Sequence, residues 1–289
     1  MCDDVIHPGL VEDNGLSRRT FGLIVAATAG TGAIAQSPTE RNVRESDVVV
    51  KTPDGSCDAA LFLPAGSSRS PAVLIWPDIM GLRPVMRSIG RRLAAQGYVV
   101  LVPNPFYRAR RAPVVEGSFD FSDPEQRKTL FGYRATITSE GAAGDAKAFV
   151  AFLDAQEQTD MRRKVGVHGY CMGGELSFRS AAAVPDRIGA VGSFHGGNGL
   201  VTDKPDSPHL LITTTRASFL VCHAQNDDVQ KPGTPDALKA AFAAAKRPAT
   251  VEVYPAAHGW CVPGGAAYDA AQAERAWAAL TQLYRVALV

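Results

Sequence analysis

Apolar positions along this chain switch repeatedly between two spacings. The stretch DVVVKTPDGSCDAALFLP carries two β-type runs around a Pro-Asp-Gly turn and predicts a hairpin. AVLIWP is a continuous apolar run of the kind that fits a central strand. VMRSIGRRLAAQ changes to helical spacing and stops at Gly97, and YVVLVP returns to a strand, which completes a βαβ unit.

The alternation continues to the C-terminus. RKTLFGYRATITSEGAAGDAKAFVAFLDAQ has helical periodicity in its C-terminal half, KVGVHG is a short strand, and GGELSFRSAAAV is the helix directly after it. AVGSFHG, SFLVCHA and TVEVYP are further strands, PDALKAAFAAAK is a helix, and AAQAERAWAALTQLYRVAL ends the chain as a core-facing helix. Alternating strands and helices predict an α/β fold with a mostly parallel central sheet and helices on both faces. No repeat, low-complexity tract or linker divides residues 36–289, which read as a single domain.

Composition narrows the partners. With 289 residues and 46% hydrophobic content, the chain can bury a large core. Thirty basic against twenty-nine acidic residues leave a formal charge of +1, which argues against a nucleic-acid polymer or an anionic membrane as main partner. A small molecule is expected instead. The N-terminal stretch SRRTFGLIVAATAGTGAIAQ sets Arg18 and Arg19 before an apolar run and resembles a twin-arginine export signal over residues 1–35, cut before Gln36. The run from Phe21 to Ala35 is shorter than the roughly 20 residues that span a bilayer, so the mature protein is expected to be exported, periplasmic or secreted, and free of the membrane. A monomer is the expected state. Cys57, Cys171, Cys222 and Cys261 would remain after the cut without the dense spacing of a disulfide framework, and Cys57 and Cys222 read as apolar fillers of strands.

Cys171 stands apart. In HGYCMGG it occupies the centre of a G-x-Cys-x-G turn between a strand and a helix, which is where α/β-hydrolases carry their nucleophile. Gly169, Gly173 and Gly174 give the turn its room, and the following helix aims its N-terminal amides at the sulfur, favouring thiolate and leaving the Met172 amide to hold an oxyanion. The bland alternative is an inert buried cysteine. A nucleophile needs a base and an acid in the order Cys, Asp, His, and the chain supplies Asp227 or Asp228 just past SFLVCHA and His258 just past TVEVYP. Asp227 is the preferred acid, on a loop a short turn after its strand. His195, after AVGSFHG, either lines the pocket or makes a structural hydrogen bond, and His168 reads as a core histidine. Trp260 and Tyr268 either wall the pocket or pack the last helix. The six histidines show no metal-ligand spacing and no G-x-G-x-x-G opens the first strand-to-helix turn, so neither metal nor cofactor is expected.

The segments WPDIMGL, GYCMGG, SFHGG, DSPHLL, AQNDDV and YPAAHGWCVP together resemble those of the dienelactone hydrolase family, the carboxymethylenebutenolidases, across about residues 47–288. The resemblance implies an α/β-hydrolase fold and a cysteine hydrolase that opens lactone or ester bonds through an acyl-enzyme. It implies the Ile79 amide as second oxyanion donor. Asp78 stands where the family has a glutamate that handles the thiol proton, one methylene shorter. Arg110, with Arg108 and Arg111 as neighbours, matches one substrate-binding arginine, whereas Val262 replaces the other, so a less cationic pocket and a broader ester or lactone range are expected. Two alternatives remain: a non-catalytic secreted protein on the same scaffold, and a redox sensor that needs Cys171 but neither His258 nor Asp227.

Overall fold

The computed structural model describes residues 42–66, 68–117 and 119–289; the expected export segment and its cut before Gln36 lie outside them. Strands β1 (Arg44–Thr52) and β2 (Gly55–Leu63) pair antiparallel with Thr52 opposite Gly55, so Pro53 and Asp54 form the expected tight turn. After them come β3 (Ala72–Trp76), α1 (Pro84–Ala94), β4 (Val99–Pro103), α2 (Pro124–Ala135), α3 (Ser139–Asp154), β5 (Val165–Tyr170) and α4 (Met172–Ala183). The chain continues through β6 (Ile188–Phe194), β7 (Ser218–Ala224), α5 (Gln225–Gln230), α6 (Thr234–Ala244), β8 (Ala249–Tyr254) and α7 (Ala270–Ala287).

The eight strands form one sheet in the order β1-β2-β4-β3-β5-β6-β7-β8. The first two are antiparallel to their neighbours and β3 to β8 run parallel. Every residue of β3, β4 and β5 is buried, because helices cover both faces; hence their unbroken apolar runs. One apolar layer joins Trp76, Phe149, Phe178, Phe219 and Phe242 under α3, α4 and α6. The other joins Phe62, Ile75, Leu93, Phe194 and Tyr284 under α1 and α7. Truncating any of these rings to alanine costs about 3–5 kcal/mol. Among the described residues, no helix is long and apolar enough to cross a membrane.

Two helices exceed the sequence reading. Asp123 caps α2 by accepting from the amides of Glu125 and Gln126, with Pro124 in the first turn, and Thr138 caps α3 by accepting from the Gly141 amide at 3.0 Å. The region expected to be helical only in its later half is therefore two capped helices. The segment after β7, read as a loop, is the six-residue helix α5, whose first turn carries Asp227 and Asp228 where the helix dipole favours acids.

Candidate active site

Strand β5 ends at Tyr170 and α4 begins at Met172, so one residue makes the entire turn. That residue, Cys171, has φ 53° and ψ −122°, a strained conformation for a side chain other than glycine. The crowding around it explains the glycines. A Cβ on Gly169 would sit 2.1 Å from the Gly173 carbonyl oxygen, and one on Gly173 would sit 2.4 Å from the Trp76 carbonyl oxygen. Strand β5, helix α4 and strand β3 thus meet backbone to backbone. The Cys171 amide is itself occupied, donating to the Phe194 carbonyl at 3.0 Å and to His195 Nδ1 at 3.1 Å. Met172 heads α4, so its amide has no partner within the helix. Ile79 lies half-buried in the turn between β3 and α1.

Asp227 and His258 meet at the carboxyl ends of β7 and β8. Asp227, 2% exposed, places Oδ2 2.8 Å from His258 Nδ1, whereas Asp228 is half-buried and makes no such bond. The His258 side chain also hydrogen-bonds Cys171. Burial alone would lower the basicity of His258, but the charges of Cys171 and Asp227 and their hydrogen bonds outweigh it and hold its pKa well above the ordinary value. Asn226 completes the support by accepting from the His258 amide at 2.8 Å through its side-chain oxygen. Sequence reasoning passed over Asn226, although its place beside Asp227 was the signal available.

His195 adopts φ 38° and packs its ring 4.8 Å from that of His258 and 5.3 Å from that of Trp260. Accepting from the Cys171 amide at Nδ1 puts its proton on Nε2, and burial, with the nearby His258 charge, holds its pKa well below the ordinary value. It is a neutral brace under Cys171. Trp260 is fully buried behind it, stacked on Tyr254 at 5.2 Å, so it forms the layer beneath the site rather than its open wall.

Asp78 is drawn elsewhere than the sulfur. Arg83 grips both carboxylate oxygens at 2.6 and 2.8 Å, and Oδ1 accepts from the Met80 amide at 2.9 Å. Among the described residues no hydrogen bond joins Asp78 to Cys171. Its geometry pins the turn that carries Ile79 to the start of α1. Arg83, five residues on, was the partner that sequence reasoning missed. Arg110 is exposed and paired with Glu116 at 2.5 Å, while Arg108 is held by Asp54 and Asp145 at 2.6 and 2.8 Å. Val262 is 6% exposed within the apolar layer. The four described cysteines are free, and Cys57 and Cys222 are wholly buried. No group of three metal-ligating side chains exists among the described residues.

A mostly parallel sheet flanked by helices, with a tight one-residue turn from β5 into α4, is the α/β-hydrolase fold. The dienelactone hydrolase family model matches residues 57–288, and the chain belongs to that family. It is 35% identical over 128 residues to a carboxymethylenebutenolidase of a Pseudomonas species, covering 44% of this chain and 51% of that protein. It is 30% identical over 135 residues to the carboxymethylenebutenolidase of Pseudomonas putida, covering 47% and 55%. The chain thus spans about half the length of each of these two relatives. Among solved structures, a dienelactone hydrolase-like promiscuous phosphotriesterase from metagenomic libraries superposes with a TM-score of 0.69 at 23% identity, over 86% of this chain and all of the other, a likeness of fold.

Proposed function

We propose that this protein hydrolyses a lactone or carboxylic ester through an acyl-enzyme on Cys171. The observation that carries the proposal is the contact chain from Asp227 to His258 to Cys171 at a strained strand-to-helix turn. Family membership points the same way.

The resting pair is a Cys171 thiolate beside a protonated His258, each charge stabilising the other. The sulfur attacks the substrate carbonyl carbon, and the amides of Met172 and Ile79 receive the developing oxyanion. Collapse breaks the ester C–O bond, and the leaving alkoxide takes the proton from His258. Neutral His258, held by Asp227, then removes a proton from water as that water attacks the thioester. Breaking the C–S bond frees the acid and restores the thiolate and the protonated histidine. Asp78 acts through the Arg83-pinned turn, which sets where the Ile79 amide stands. Val262 in the apolar layer and the Arg110–Glu116 pair support a small, neutral ester or lactone over a carboxylate-bearing one. Arg18 and Arg19 before an apolar run support export by the twin-arginine route, with hydrolysis outside the cytoplasm.

The test is mass spectrometry of protein quenched during turnover, first of a dienelactone and then of an aryl ester. An acyl mass on the Cys171 peptide is expected with the aryl ester. Turnover of either compound with no acyl mass on that peptide removes the acyl-enzyme, and labelling by neither, without turnover, removes the hydrolase.

A further inference from the structure

A cavity of about 380 Å³ lies between α1 and α7, on the sheet face opposite α4, and none of Cys171, Asp227 and His258 lines it. Its wall includes Val85 and Ile89 of α1, Trp277 of α7, Tyr170 and Phe194 at the ends of β5 and β6, and Cys261. This surface is apolar and aromatic, as small-molecule sites are.

One hydroxyl in it is unmet. Tyr170 is 3% exposed and lines the cavity, and its hydroxyl makes no hydrogen bond among the described residues. Trp277 contributes only its ring, because its indole N–H is closed off from solvent and so from the cavity. A largely buried hydroxyl that borders a cavity without a protein partner marks a place for an acceptor. The cation of the wall does not ask for an anion. Arg92 stacks its guanidinium 4.2 Å from the Trp277 ring centroid and meets both oxygens of Glu274 at 2.8 and 2.6 Å, which neutralises it. Size completes the description: a cavity of roughly 150 Å³ admits benzene, so this one takes a ring with a substituent.

We propose that the α1–α7 cavity binds a neutral, single-ring aromatic molecule bearing a carbonyl acceptor. The ring packs against Val85, Ile89 and Phe194, and the carbonyl oxygen accepts from the Tyr170 hydroxyl. The site is independent of the hydrolytic reading, since nothing in it needs Cys171 to react. Its occupant nevertheless touches the residue immediately before Cys171. Tyr170 stacks on Phe194 at 5.3 Å, and the Phe194 carbonyl accepts from the Cys171 amide.

The probe is 4-bromoacetophenone, a ketone with no ester bond to cleave. Calorimetric titration into the full chain is expected to show one binding event, and the anomalous signal of crystals soaked with it is expected to place bromine between α1 and α7. Ala273→Phe, which fills the cavity from α7, is expected to weaken binding at least about 10-fold, and Tyr170→Phe about 3- to 10-fold, the worth of one hydrogen bond. Bromine at the Cys171 turn alone, or no binding, overturns the proposal. So does unchanged affinity in a folded Ala273→Phe protein; should that variant fail to fold, unchanged affinity in Tyr170→Phe overturns it instead.

Discussion

Two histidines, one buried in the middle of the sheet and one half-buried past the end of its last strand, show how this fold divides neutral from charged positions. His168 lies within β5, wholly buried, with Nδ1 2.8 Å from the Tyr284 hydroxyl and no charged partner. Burial alone lowers its pKa to about 3, so it stays neutral. His258 lies past the carboxyl end of β8, where Asp227 and Cys171 supply charge, and its basicity rises although it is half-buried. The middle of a parallel sheet has no free backbone ends or short acidic helices to offer. The carboxyl edge has both, in α5 and in the start of α4.

The contrast can be broken from either side. Cys171→Ala should lower aryl-ester turnover by about 10⁴-fold or more with the fold retained, as read by initial rates beside circular dichroism; comparable activity would end the acyl-enzyme mechanism. His258→Gln should fall nearly as far, and Asp227→Asn by roughly 10³- to 10⁴-fold through loss of the bond that orients the ring. Asp228→Asn should leave kcat within about 3-fold, because its carboxylate does not reach His258.

His168→Gln should spare kcat and act on stability, and its pH signature sharpens the comparison. A histidine whose folded pKa is depressed costs stability as the pH falls from about 6.5 towards about 3, because the unfolded chain takes up the proton first. His258, raised in the folded state, contributes stability that is complete below about 6.5 and fades as the pH climbs through its folded value. Urea titrations across pH should therefore lose an acid-side slope, of up to about 1.4 kcal/mol per pH unit, in His168→Gln and an alkaline-side slope in His258→Gln. Identical profiles in both variants would dissolve the distinction. The smallest effect belongs to the turn itself: Cys171→Gly should raise stability by about 1 kcal/mol in thermal unfolding, since glycine relieves the strain at φ 53°.

How far these features were legible in the chain depends on how local their causes are. Strand runs, the hairpin turn and the glycines around Cys171 announce themselves because each is imposed by neighbours within a few residues. Asp227 was legible as the neighbour of His258, but the helix that carries it was not, because six residues give periodicity too little length to register. The resemblance that pointed to Asp78 and Arg110 could name their positions and not their partners. Arg83 and Glu116, each five or six residues away, decide where those side chains go. Pairings of that kind depend on which loop face turns inward, and no pattern of apolar positions encodes it.

The contact of Gly169 with Gly173, and of Gly173 with the end of β3, has an evolutionary reading. Side chains that wall a pocket can be exchanged one at a time, so the range of molecules admitted is free to drift along a lineage. The span from the sulfur to the turn bearing Ile79 is set by three peptide backbones in contact, with no side chain between them to trim or lengthen. Substitution has no small step to offer there. What this architecture acts upon can therefore diversify quickly, while the distance over which it acts is inherited nearly unchanged.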